Sequence, residues 1–247
     1  DWKLQPERIY VHMLLLIATA LDPLFGAELA TVVSDLPEAT GNVEIHTAVI
    51  KSYSRMINKL LCADDHLYVK QKPRPAMNID IVRRLAAAET VGGVIGLIKQ
   101  VAARFGGLSH LKCLPELAAT DPAAADARYN LLPVMVTVVF APRGLTVGDL
   151  LADQNVRAAW AELRATRPSD EVSCEQWQLD HDTAVQLLES KCDPSEPVKM
   201  HCEVQVVTTA MGGIRHMMHE VYKVVRASSG AQLYADVAKP VEGYVMD

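Results

Sequence analysis

Two acidic residues, Asp80 and Glu203, stand where a carboxylate can be displayed for chemistry. Glu203 belongs to Cys202-Glu203-Val204-Gln205-Val206-Val207, whose alternation predicts a strand with Glu203 and Gln205 on a polar side and Val204 and Val206 facing the core. Asp80 sits in Asn78-Ile79-Asp80-Ile81-Val82, a short strand by the same pattern. Ahead of both, Lys51, Arg55 and Lys59 recur at helical spacing, and a helix gathers such residues within about 80° of one another. Lys112 and Tyr129 fall between the two acids. Phosphoryl and pyrophosphoryl transfer use this combination, because acids hold Mg²⁺ and cations neutralise phosphate oxygens in a reaction governed by positioning and charge.

The elements that must position these groups alternate between helix and strand. A helix is predicted over 6–21, with Pro6 suited to its first turn, and a second over 42–62, where Ile45, Val49, Tyr53, Met56 and Leu60 define a buried face opposite the basic stripe. Lys72-Pro73-Arg74-Pro75 reads as an extended, non-helical connector into the Asp80 strand. A helix over 89–105 follows, in which Gly92, Gly93 and Gly96 indicate close packing and Gly106-Gly107 provides the stop. The β-branched run 131–140 is expected as a central strand, then helices over 147–166 and 175–191, a strand over 199–207 and a closing helix over 209–227. The expected class is α+β (mixed α/β), a central mixed sheet flanked by helices. Domain limits are read as an N-terminal helical segment 1–41, a catalytic-type domain 42–230 and a C-terminal tail 231–247.

With 247 residues, half of them hydrophobic, the chain can bury a substantial core. A net charge of -6 argues against gripping nucleic acid through its phosphates, which needs an excess of Lys and Arg. Five scattered cysteines without a CxxC pair point to a reducing compartment, cytoplasm or organelle matrix. The apolar run 13–21 is shorter than the roughly 20 residues a bilayer requires, so a buried helix and no membrane are expected. The start at Asp1 rather than Met is read as a processed form or a piece of a larger parent chain.

The order of these residues resembles the synthetase domain of the RelA/SpoT family, which transfers pyrophosphate from ATP to a guanine nucleotide. The Glu203-Val204-Gln205 strand and His219-Glu220-Val221-Tyr222-Lys223 are similar to the family's closing Glu-x-Gln strand and His-x-x-Tyr-Lys helix. The resemblance spans roughly 45–226 and implies a nucleotidyltransferase-like fold. It also implies Mg²⁺ held by Asp80 and Glu203, with Glu203 as base, and ATP phosphates held by Lys51 and Lys59. Tyr129 would stack on the acceptor base, with Gln205 and His219 supporting. Arg55 and Lys112 join the candidate nucleotide-binding groups through their place in the series.

The sequence departs from the family where its arginine before the first helix lysine is Val49, and where Arg128 and Pro133 replace a glycine and a histidine around Tyr129. Those departures motivate an alternative, a degenerate, non-catalytic pseudoenzyme serving as a binding or scaffolding module with protein partners. A third reading takes the basic stripe as an RNA-contacting surface, which the acidic balance opposes. His216 and His219, three apart on a helix, are read as structural for want of a third ligand. Asp180-His181-Asp182 is read as an exposed stretch of a charged helix.

Overall fold

The structure, a computed structural model, describes residues 5–62, 66–112, 134–166 and 173–214. It has the expected α+β class, with a mixed five-stranded sheet and surrounding helices. The strands are β1 (Val43–Thr47), β2 (Val82–Ala88), β3 (His110–Lys112), β4 (Val134–Phe140) and β5 (Met200–Thr208), ordered β1-β2-β5-β4-β3. The described residues fall into two compact units that interleave along the chain. The first draws on Asp1–Ala27, Ile50–Arg83 and Val139–Glu203, and the second on Glu28–Val49, Arg84–Val138 and Val204–Asp247.

The first helix, α1 (Gln5–Ser34), runs well past the predicted end at 21 and carries Pro23 inside it. Its buried residues Val11, Leu15, Ala18, Leu21, Phe25, Leu29 and Val32 keep three- and four-residue spacing on both sides of the proline. That continuous apolar stripe outweighs the one backbone hydrogen bond a proline removes. Among the described residues α1 alone is long and apolar enough to cross a membrane by length and composition. In the first unit its packing is specific: Trp160 Nε1 donates to Leu16 O at 2.9 Å, and Phe25 lies 5.3 Å from Phe140, ring centre to ring centre.

The predicted helix over 42–62 is two elements. Val43, Ile45 and Thr47 form β1, antiparallel to β2 with Val43 opposite Ala88 and Thr47 opposite Arg84. The helix proper, α2 (Tyr53–Leu61), starts at Ser52, whose hydroxyl accepts the Arg55 N–H at 3.4 Å. The β-branched residues at alternate positions explain the strand, and the serine cap explains where the helix begins. Tyr53, Met56 and Leu60 are buried as expected, whereas Val49 lies outside the helix and is 55% exposed.

The Asp80 strand also shifts. Arg74–Met77 form a 3-10 turn that overlaps the end of the predicted extended connector, and β2 begins at Val82, leaving Asp80 just before it. Residues 85–88 read Leu-Ala-Ala-Ala, a helix-favouring composition; they form a strand because β2 lies between β1 and β5, with Ala86, Ala87 and Ala88 buried. In the second unit Leu85, Ala87 and Val207 form one apolar cluster.

Helix α3 (Val91–Arg104) is capped by Thr90, whose hydroxyl accepts the Gly93 N–H at 2.9 Å. The predicted close packing is real: a Cβ on Gly93 would stand 2.8 Å from Thr40 O, and one on Gly96 would stand 2.5 Å from Thr40 Cγ2. The helix predicted over 147–166 is broken into α4 (Val147–Ala152) and α5 (Gln154–Ala165), because Asp153 caps the second by accepting the N–H groups of Asn155 and Val156. Helix α6 (Cys174–Lys191) begins at its Ser173 cap. After β5 the backbone is helical over 209–214, and the rest of the predicted closing helix lies outside the described residues.

Candidate functional site

In the first unit the chain brings three predicted site residues together: Lys51, Lys59 and Asp80. The connector that delivers Asp80 is fixed from behind by Arg74, which is buried. Its Nε donates to Glu7 Oε1 at 2.7 Å, its second terminal nitrogen pairs with Glu7 Oε2, and its remaining nitrogen donates to Leu60 O at 2.9 Å and Leu67 O at 3.2 Å. This arginine therefore ties α1, the end of α2 and the connector to one another. The hydrogen bond from Arg74 holds the Glu7 carboxyl below its usual range, against the opposing effect of burial. Beyond it, Asn78 Nδ2 donates to Pro75 O at 3.1 Å, and the Lys51 N–H donates to Ile81 O at 3.0 Å. Residues 51 and 81 are thus joined through the backbone, which sets the Lys51 and Asp80 side chains beside each other.

The Lys51 ammonium donates to Asp80 Oδ2, and Lys59 Nζ stands 3.6 Å from Asp80 Oδ1. Lys51 is 2% exposed, Asp80 20% and Lys59 27%. Burial drives the Lys51 ammonium down to about 8 from an ordinary 10.5; Asp80 opposes the shift and Lys59 adds to it. For Asp80, burial pushes the carboxyl up, but Lys51, then Lys59 and Arg83, outweigh it and leave it below its usual range. Two ammonium groups meet at one carboxylate in a partly desolvated place, where charge interactions are screened less than on an open surface. Asp80 Oδ1 accepts no hydrogen bond although it is buried.

Lys51 is not the first cation of an α2 stripe, as the helical spacing predicts; it precedes the Ser52 cap and is buried. Lys59 lies on α2 and reaches Asp80, while Arg55 is exposed on the same helix. Glu203 is on β5, the sheet neighbour of the β2 strand that follows Asp80. The predicted polar side of β5 is not solvated at Glu203, which is 7% exposed, with Cys202 and Val204 also buried. Gln205, partly exposed, and Lys112, exposed at the end of β3, belong to the second unit. Tyr129 and His219 lie outside the described residues, as do Arg128, Pro133, His216, Tyr222 and Lys223.

No family model, curated protein or solved structure matches this chain. The chemistry of the site stands on its own residues.

A second polar cluster in the first unit overturns the exposed reading of Asp180-His181-Asp182. Asp180 is fully buried on α6, pairs with Arg8 Nε at 3.0 Å and accepts from Gln176 Nε2 at 2.7 Å. His181 is 3% exposed, and only Asp182 is on the surface, in a two-bond pair with Arg164 at 2.7 and 2.9 Å. The ring of His181 lies 6.0 Å from that of His12, a buried histidine on α1 that also packs on Trp177 at 4.2 Å and Tyr53 at 5.3 Å. Burial, then His181 and Arg8, depress His12 to about 3, so the imidazole is neutral. The signal for His12 was its position in α1, one residue after Val11 and four before Leu16, on the face that is buried. Asp180 had no comparable signal, since its partner Arg8 lies on another helix far away in sequence. Cys62, Cys174, Cys192 and Cys202 are free thiols.

Proposed function

We propose that this chain binds a purine nucleoside triphosphate with Mg²⁺ in the manner of a RelA/SpoT-like nucleotidyltransferase domain, and transfers a pyrophosphate or nucleotidyl group to an acceptor hydroxyl. The observation that carries the reading is the convergence of Lys51 and Lys59 on Asp80, an anion-attracting cluster with one carboxylate oxygen left without a hydrogen bond. That oxygen, Oδ1, is a hard donor of the kind Mg²⁺ prefers once Lys59 turns to a phosphate, and Glu203 on the neighbouring strand would supply a second. When bound, the metal neutralises charge on the transferring phosphates. Lys51 and Lys59 then hold the phosphate oxygens, and the buried Glu203 draws the proton from the acceptor hydroxyl.

The test is thermal unfolding of the full chain against ATP, GTP and GDP, each with and without Mg²⁺. Ligand at 100 times its dissociation constant adds about 2.7 kcal/mol of stability. The reading requires a Mg²⁺-dependent shift that Asp80→Asn abolishes, and turnover that Glu203→Gln abolishes in a folded protein. Absence of a shift with every nucleotide would overturn it. The exposed Val49, an apolar side chain where the family carries arginine, favours a second reading, in which the chain is a non-catalytic module. A nucleotide shift with no turnover in the wild type would select it.

A further inference from the structure

We infer that the Lys51–Asp80 ion pair is an autoinhibitory latch that admits a divalent metal and a phosphate together and opposes either one alone. The inference rests on the nucleotide reading for the identity of the two ligands. In the free protein the amine that would neutralise a phosphate and the carboxylate that would hold a cation satisfy each other, and the amine does so almost completely out of water. A cation that draws Asp80 to itself leaves the Lys51 ammonium buried without its counter-ion, which is costly because water cannot replace the carboxylate there. A phosphate that draws Lys51 away sets a second anion beside Asp80. When the two arrive together, one ion pair is exchanged for two, ammonium with phosphate and carboxylate with metal, and no buried charge is orphaned. Asp80 Oδ1 is out of water, accepts no hydrogen bond and faces Lys59 Nζ at 3.6 Å, so a cation reaches it only as Lys59 also turns to the phosphate, which adds a second ammonium to the same exchange. The coupling is reciprocal: each ligand raises the affinity for the other by the same factor.

The experiment titrates the full chain by calorimetry with three probes: MgCl₂ alone, tripolyphosphate with chelator, and both together after allowance for their complex in solution. Wild type should bind the pair far more tightly than the product of its separate affinities predicts. Lys51→Met should bind Mg²⁺ alone at least about tenfold more tightly than wild type, and Asp80→Asn should gain at least about tenfold for metal-free tripolyphosphate. Lys51→Gln repeats the first arm with a polar replacement, and the gains of the variants over wild type decide between the latch and direct attraction of metal for phosphate. No gain in either variant, or independent binding of the two probes to wild type, overturns the latch. The outcomes also separate it from the nucleotide reading. If nucleotides fail to bind while Lys51→Met gains Mg²⁺, the latch stands and the nucleotide reading falls. If nucleotides bind and the variants gain nothing, the latch falls and the nucleotide reading stands.

Discussion

The two polar clusters of the first unit use similar groups to opposite ends. Around Asp180 the charges match: one guanidinium meets one carboxylate, Gln176 supplies a further donor, and the nearby His12 is neutral. Around Asp80 two ammonium groups, those of Lys51 and Lys59, meet at one carboxylate. Their solvent contact differs in the same sense, with Asp180 fully buried and the Asp80 side chain 20% exposed. The Asp180 cluster, buried at its carboxylate and its two imidazoles, acts on stability. The Asp80 cluster is reachable from solvent through Asp80 and Lys59, and acts on binding.

The largest effect expected from this contrast is acid sensitivity of the buried cluster. The unfolded chain takes up a proton on His12 as pH falls through the ordinary 6.5, whereas the folded protein does not until about 3, so stability is lost on acidification across that window. For one fully buried imidazole the loss is on the order of 4 kcal/mol over the whole window. Burial also lowers His181, against the pull of Asp182, and this adds in the same direction. The lowered carboxyls of Glu7, Asp80 and Asp182 lose their contribution only below their ordinary values of 4.5, 3.8 and 3.8, so the slope above 4.5 reports the imidazoles. Urea unfolding between pH 6.5 and 4.5 should show that slope, and His12→Phe should flatten part of it. Wild-type stability independent of pH in this range would break the contrast.

Next in size is the exchange of effects between the two aspartates. Asp180→Asn removes the counter-ion of Arg8, which is itself 16% exposed, and should cost about 2 kcal/mol of stability, below the full cost of breaking a sealed pair. Its nucleotide-dependent shift should survive. Asp80→Asn should cost less stability and lose the shift. Denaturant midpoints measured with and without Mg²⁺-ATP separate the two, and equal behaviour of the variants would mean that solvent access does not sort these clusters.

Legibility of the sequence followed the same division. Burial patterns carried by one element were readable: Tyr53, Met56 and Leu60 on α2, and Val204 and Val206 on β5, are where the periodicity puts them. The glycines of α3 announced a close crossing, and Thr40 is the neighbour that needs it. Features decided by distant partners were not readable. The Leu-Ala-Ala-Ala stretch of β2 is extended only because strands flank it, and α1 passes Pro23 only because its apolar stripe continues. In the candidate site, the residue types Lys51, Lys59 and Asp80 were legible from spacing, but their pairing was not. It depends on β1 ending before Lys51, on the Ser52 cap, and on the backbone bond from Lys51 to Ile81.

The smallest effect expected lies within α2 itself. Helical spacing puts Arg55 and Lys59 on an equal footing as phosphate groups, but the structure separates them, since Lys59 Nζ reaches to 3.6 Å from Asp80 Oδ1 while Arg55 is exposed near the start of the helix. Lys59→Met should weaken Mg²⁺-dependent ATP binding about fivefold, roughly 1 kcal/mol, through the loss of one partly desolvated charge contact. Arg55→Met should change affinity by less than about twofold, because a solvated charge in its vicinity is screened. Both substitutions keep an unbranched apolar stem on the helix, so α2 retains its packing and the comparison reads chiefly the loss of charge. Raising the salt concentration should weaken wild type and Arg55→Met in parallel, and Lys59→Met by less. Equal losses in the two variants would restore the stripe that the spacing suggested and remove Asp80 from its place as the point on which the cations converge.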